Sequence, residues 1–228
     1  MVRFENGFRL GRVRLAIFDL DGTLIDSQQD LVNSVNAVRE HLDLAPLDPA
    51  LIASYVGNGA PVLIQRTLGE HATEHNVQRG LEYFLRYYWE HMLDHTRLYP
   101  GVQPALDALL ASGVRMAVLT NKPVRFSQSI IDGLGLGGHF QRVYGGNSFP
   151  EKKPHPVGIE TLLGEFSVDR AESIMVGDSS VDIRTARNAG IAACGVTFGF
   201  QPETFAGHPP DLVVDNLTEL SDLIAAAL

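Results

Sequence analysis

The sequence predicts a doubly wound parallel α/β sheet carrying an inserted all-helical segment, and three observations lead there. Short, mainly apolar runs such as Val13–Phe18, Val114–Leu119 and Ser173–Val176 have the character of parallel strands covered on both faces. These runs alternate with stretches of helical periodicity, which is the signature of βαβ units and a Rossmann-like core. Between Ser27 and about Arg97 the strand signals stop and only helical patterns remain. The chain therefore divides into a core of residues 1–26 and 97–228 and a helical insertion of residues 27–96.

Composition narrows the function classes. At 228 residues the chain can bury a sizeable core, and a hydrophobic fraction of 45% is ordinary for a globular protein. A formal charge of −9 and a pI near 5.3 argue against nucleic acid or an anionic membrane as partner, since either needs a basic face. The one tight basic doublet is Lys152–Lys153. Cys194 stands alone, so no intramolecular disulfide forms, in keeping with a cytoplasmic protein; it lies in an apolar run and reads as packing. Residues 1–12 lack the apolar stretch of a signal peptide, and no run approaches the length of a membrane span. No internal repeat is evident.

Taken in order, the first strand ends at Asp19. Asp26 and Ser27 offer helix caps, and Leu31, Val35, Val38 and Leu42 recur at helical spacing. Pro46 and Pro49 interrupt that helix, and a second helical stretch runs from Pro49 to Tyr55. Gly57-Asn58-Gly59 then forms a turn before a helix led by Pro61 and continuing through Leu68, so backbone N–H groups are free at a helix start, where anions bind. From Val77 to His95, the residues Leu81, Phe84, Leu85, Tyr88 and Met92 make an apolar stripe. Tyr83, Tyr87 and Trp89 read as core bulk. His71 with His75 and His91 with His95 have chelating spacing but lack supporting ligands, and read as solvated surface.

Tyr99-Pro100-Gly101 launches a helix over Val102–Ala111, the strand Val114–Leu119 follows, and the next helix spans Phe126–Leu134. The glycines from Gly133 to Gly138 follow a helix and precede a strand, the reverse of a dinucleotide fingerprint, so they read as a helix stop. Further strands are predicted at Phe140–Tyr144, Ser173–Val176, Ala192–Val196 and Leu212–Val214.

Chemistry concentrates at the ends of these strands, where open α/β sheets bind ligands. Asp19 and Asp21 stand two residues apart on extended chain, so their side chains project to one side about 6–7 Å apart. Crowded carboxylates at the end of a core strand repel each other and resist desolvation, which points to a bound cation. Asp178 repeats the arrangement after the fourth strand, with Asp182 at the start of the next helix, and adjacent strands would put the Asp19 and Asp178 carboxylates around one magnesium-sized site. Thr120 and Asn121 follow the second core strand, and their hydroxyl and N–H groups suit a phosphoryl oxygen. Lys153, ahead of Pro154-His155-Pro156, can neutralise phosphate charge.

The run Asp19-Leu20-Asp21-Gly22-Thr23-Leu24, with Thr120, Lys153 and Asp178 downstream in order, resembles the motif set of the haloacid-dehalogenase-like phosphatases over residues 13 to 220. The resemblance implies Asp19 as nucleophile and Asp21 as general acid and then base. It also implies Thr120 and Lys153 on the phosphoryl group, and magnesium on Asp19, the Asp21 carbonyl and Asp178 with Asp182 in support. Asp21 is expected to hold its proton when substrate binds because other carboxylates crowd it. The insertion resembles that family's cap domain.

Tyr55–Ala60, Thr120–Pro123, Lys152–Pro156 and Thr197–Phe200 resemble the pattern of bacterial phosphoglycolate phosphatases, while Ser148–Glu151 departs from it. The implied substrate is 2-phosphoglycolate, with Gly57, Asn58 and Gly59 reading its carboxylate. The departure keeps a sugar-phosphate phosphatase or phosphomutase open, and a receiver-like phospho-binding module is the rival outside enzymes. The partner is then a small phosphorylated metabolite, and the protein is expected to be a monomer or homodimer.

Overall fold

The computed structural model describes residues 2–4 and 8–227. At its centre is β2 (Leu15–Phe18), whose four side chains are all buried. It pairs in parallel with β5 (Arg115–Leu119) on one side and β7 (Ser173–Gly177) on the other. Outside β5 lies β6 (Arg142–Tyr144), and beyond β7 come β8 (Ala192–Val196) and β9 (Leu212–Val214), all parallel. A two-residue strand, β1 (Arg3–Phe4), adds antiparallel to the β9 edge.

The side-chain period of two sends alternate residues of β2 into two cores. Leu15 and Ile17 join Ile159 and Leu162 of α7 (Val157–Phe166) and Ile183 and Ala186 of α8 (Ser180–Ala189). Ala16 and Phe18 face the opposite core with Leu106 of α5 (Val102–Ala111) and Leu220 of α9 (Leu217–Ala226). Burying each large apolar side chain contributes about 1.5–3 kcal/mol, so the doubly covered strand is the best-anchored element of the fold. α6 (Val124–Gly133) follows β5 and ends within the expected glycine stop.

The insertion begins and ends on an antiparallel ribbon of β3 (Ile25–Asp26) and β4 (Arg97–Leu98). Between them lie α1 (Gln28–His41), α2 (Pro49–Ser54), α3 (Ala60–Leu68) and α4 (Glu74–His91). Leu31, Val35 and Val38 of α1 meet Phe84 and Tyr88 of α4 in the same apolar cluster that covers one sheet face. Gly80 makes this approach possible, because a Cβ there would stand 3.1 Å from both Val38 and Ile64. The ribbon and β1 are absent from the sequence prediction. Two-residue strands carry no periodicity, and their pairing is set by where the chain leaves and re-enters the core. His71, His75 and His95 are at the surface, and His91 contacts Asp94 at 2.7 Å.

One buried carboxylate ties the entry to the exit. Asp30, in the first turn of α1 and 1% exposed, accepts hydrogen bonds from the N–H groups of His95 and Thr96 and from the Thr96 hydroxyl, at 2.8–3.0 Å. Asp30→Ala leaves buried donors unpaired, and the expected loss is about 2–4 kcal/mol, measured by urea unfolding. A loss below about 0.5 kcal/mol, the range of ordinary surface substitutions, would show that the ribbon needs no such tie.

Candidate active site

Strand register assembles the site. Phe18 is paired with Val118 on one side and Val176 on the other, so the residues just past each strand share one edge of the sheet. Those residues are Asp19, Thr120 and Asp178. The Asp19 N–H donates to the Val176 carbonyl at 2.9 Å, and the Thr120 N–H donates to the Tyr144 carbonyl at 3.0 Å. Both side chains are thus fixed by main chain at the mouth of the sheet.

Asp19, Asp178 and Asp182 bring one oxygen each within 4.8 Å of one another, all three residues buried. Glycines make room for Asp178: a Cβ on Gly22 would lie 2.3 Å from its Oδ2, and a Cβ on Gly199 would lie 2.2 Å from its Cβ. Gly22 also has φ of 81°, which glycine adopts at little cost. The Phe200 N–H donates to Asp178 Oδ2 at 2.7 Å. Asp182 is already committed on both oxygens. Its Oδ2 accepts from the Ser179 N–H and hydroxyl as the capping box of α8, and its Oδ1 stands 2.6 Å from Lys153 Nζ. Its first duty is therefore to hold the lysine and the helix start, behind the other two carboxylates.

Lys153 lies 2.9 Å from Asp19 Oδ1, close enough for a strong ionic contact but off line for a hydrogen bond. Asp19 Oδ1 consequently has no hydrogen-bond donor among the described residues. Asn121 holds the lysine's backbone: Lys153 N–H donates to Asn121 Oδ1 at 2.9 Å, while Asn121 Nδ2 donates to the carbonyls of Lys153 and Gly57 at 3.1 and 2.9 Å. The sequence offers the backbone N–H of Asn121 to a phosphoryl oxygen and gives its side chain no role. The structure uses that side chain to join the lysine loop to the insertion.

The surroundings of Asp21 also differ from expectation. Its carboxylate is turned away from the other three acids and onto Lys122, whose Nζ lies 2.9 and 3.1 Å from its two oxygens, with the Ser27 hydroxyl at 2.5 Å. A cation and a hydroxyl therefore crowd Asp21, not carboxylates. Lys122 Nζ continues to the Tyr88 hydroxyl of α4 at 2.7 Å. The lysine was legible only as part of a motif, and Tyr88 as core bulk. Its place on the apolar stripe of α4 hides a hydroxyl aimed at the sheet.

These groups enclose a cavity of about 50 Å³. Its core wall carries Asp19, Asp21, Thr120 and Lys122, and its opposite wall is apolar, with Leu63 and Phe84 among its side chains. Gly57 and Gly59 of the turn before α3 also line it, while Asn58 is half-buried beside it and lines no part of it.

Burial and the neighbouring acids set the protonation balance. Desolvation, opposed by Lys153 and assisted by Asp182, raises Asp19 to about 6, and burial with Asp182 and Asp19 raises Asp178 well above the carboxylate range. Burial alone would favour neutral lysines, but the carboxylates outweigh it and keep Lys122 and Lys153 charged. Burial pushes the Tyr88 hydroxyl up to about 12. A buried carboxylate pair with an orphaned oxygen, flanked by side-chain-free glycines, is the donor set of a hard divalent cation.

The haloacid dehalogenase-like hydrolase profile matches residues 16–196. The chain belongs to that family. Among its relatives, the phosphoglycolate phosphatase of Chromobacterium violaceum is 40% identical, covering 94% of this chain and 98% of its own. That of Vibrio parahaemolyticus is 39% identical, covering 94% and 97%. A solved structure described as a predicted phosphoglycolate phosphatase, from Haemophilus somnus, superposes with a TM-score of 0.88 at 36% identity, covering 92% and 97%. Haloacid dehalogenase-like phosphatases generally use a divalent metal, and the Asp19, Asp178 and Asp182 group is where this member could hold one.

The raised Asp19 gives a sign that calorimetry can check. Ionising it costs the metal-free fold stability as pH rises from the ordinary 3.8 toward about 6, and a cation offsets that cost. A divalent cation is expected to raise Tm at neutral pH, with the increment shrinking as pH falls below about 6 because protons compete for the same oxygens. An increment independent of pH would place the cation elsewhere.

Proposed function

We propose that the protein is a magnesium-dependent phosphomonoesterase that hydrolyses 2-phosphoglycolate to glycolate and phosphate through an aspartyl-phosphate on Asp19. The observation that carries this reading is the Asp19 carboxylate, buried at the end of β2 in an ion pair with Lys153 and lining a small cavity that the inserted helices also line. The phosphoglycolate phosphatase names of relatives matched along nearly their whole length support the substrate. Residues 27–96 act as a cap over a core of 1–26 and 97–228. The enzyme works as a monomer or homodimer in the cytoplasm on a small metabolite, without nucleic acid.

Phosphoryl transfer depends mainly on positioning and charge neutralisation. A phosphate dianion is repelled by Asp19, and Lys153 offsets that repulsion from its other side while Thr120 and the Asn121 backbone orient the non-bridging oxygens. Asp19, Asp178 and the Asp21 carbonyl, with Asp182 behind, would hold magnesium, which would supply further neutralisation of phosphoryl charge. The Asp19 carboxylate attacks phosphorus in line, the ester P–O bond breaks, and Asp21 donates a proton to the leaving alkoxide. Asp21 then takes a proton from water as that water attacks the phosphorus of the aspartyl-phosphate. Free Asp19 and inorganic phosphate result. The leaving group lies in the cavity beside Gly57 and Gly59, where the absence of side chains lets it approach backbone N–H groups.

A phosphate-release screen over small phosphorylated metabolites tests the substrate, with phosphoglycolate expected to give the highest kcat/KM. Asp19→Asn is expected to keep the fold and lower kcat by more than about a hundredfold, and Asp21→Asn to slow both chemical steps. Residual activity of Asp19→Asn near wild type would remove the nucleophile assignment. Excess chelator is expected to stop turnover and calcium to restore it poorly, because calcium takes more ligands at longer distances than in-line attack tolerates.

A further inference from the structure

We infer that Lys122, held in place by Tyr88 of α4, is the residue that selects a leaving group carrying negative charge one carbon from the ester oxygen. The inference rests on the functional reading above and deepens it by naming the cation that recognises the substrate's far end.

Lys122 is 7% exposed, yet it lines the active-site cavity. It is the one cationic side chain on that cavity's wall among the described residues, since Lys153 is spent on Asp19 and Asp182 and Lys152 is exposed. An ammonium has three N–H donors. The Asp21 carboxylate takes one, shared between its two oxygens, and the Tyr88 hydroxyl takes a second. The third is left for a ligand.

Position then decides which ligand. Asp21 protonates the ester oxygen, so that oxygen must sit against the Asp21 carboxyl, and whatever lies one carbon further on comes beside the neighbouring Lys122 Nζ. An α-hydroxy carboxylate puts an anionic oxygen there, and a plain alcohol leaves the ammonium with nothing to bind. The facing side chains, Leu63 and Phe84 among them, are apolar, so Lys122 is the side-chain cation of this cavity, and it shares the charge with the backbone N–H groups of the Gly57–Gly59 turn. Tyr88 comes from the insertion and Lys122 from the core, so the ammonium is held from both sides, by Asp21 and by Tyr88. Its ring also lies under Lys122 Nζ, 4.5 Å from the ring centroid, which limits where the ammonium can move.

The test compares phosphoglycolate with ethyl phosphate, which has the same carbon count and no carboxylate. In wild type, phosphoglycolate is expected to have the higher kcat/KM. Lys122→Met keeps the length and removes the charge, and it is expected to lower kcat/KM for phosphoglycolate at least about tenfold more than for ethyl phosphate, with the excess in KM. Lys122→Arg is expected to retain the preference. Tyr88→Phe removes one hydroxyl from a packed ring, so it reads the inference even if Lys122→Met does not fold; its KM is expected to rise for phosphoglycolate and stay near wild type for ethyl phosphate. Equal losses on both substrates would reduce Lys122 to a partner of Asp21 and overturn the inference alone. A wild type with no preference for the carboxylated substrate would overturn the proposed substrate, and this inference with it.

Discussion

The structure depends on holding three buried carboxylates at one edge of a sheet around a single lysine. Asp19, Asp178 and Asp182 lie together with Lys153 Nζ between Asp19 and Asp182, so the site carries more negative than positive charge before anything binds. Such an arrangement persists only because the elements beneath it are over-determined. β2 is buried on both faces, its neighbours are locked in parallel register, and α8 begins on a capping box made by one of the acids themselves. The strain is also the chemistry. Burial that keeps Asp19 at about 6 makes its carboxylate poorly solvated, hence ready for a cation and for phosphorus.

A second layer of control comes from the insertion. Polar links cross between core and insertion, among them Asn121 to the Gly57 carbonyl, Lys122 to the Tyr88 hydroxyl, the Ser27 hydroxyl to Asp21, and Gln201 Nε2 to the carbonyls of Ala53, Ser54 and Val56. Asn121 and Lys122 follow Thr120 directly in the chain. The segment that follows β5 therefore ties the insertion to the edge of the sheet that carries Asp19, and on the proposed function it serves phosphate and cap at once. In the same family fold, catalysis and selectivity thus share one short stretch of chain.

Most of the core was legible in the sequence because burial writes strong patterns. Apolar runs at residues 13–18, 114–119 and 173–176 fixed three central strands, and the acids just beyond them were visible as interruptions of those runs. What stayed hidden was either too short or too ambiguous in residue type. β1, β3 and β4 have two residues each and no period to detect. Tyr88 satisfied the helical stripe so well that its hydroxyl carried no separate signal, and Lys122 was one more residue after a strand. The sequence offered the backbone N–H of Asn121 to a phosphoryl oxygen, but the three hydrogen bonds its side chain makes to backbone depend on loops distant in sequence and left no local signal. The mistaken surroundings of Asp21 have a similar origin, since spacing along an extended chain says which side a residue faces and not which partner from another strand meets it.

The central claim is that Asp19 forms a covalent bond to phosphorus. Rapid acid quench of the enzyme during turnover of phosphoglycolate, followed by peptide mapping by mass spectrometry, tests it most directly. The account predicts a phosphoryl group on the peptide containing Asp19, absent from the Asp19→Asn protein. Turnover with the phosphoryl group on another residue, or turnover that never labels the protein across the quench times, would contradict it.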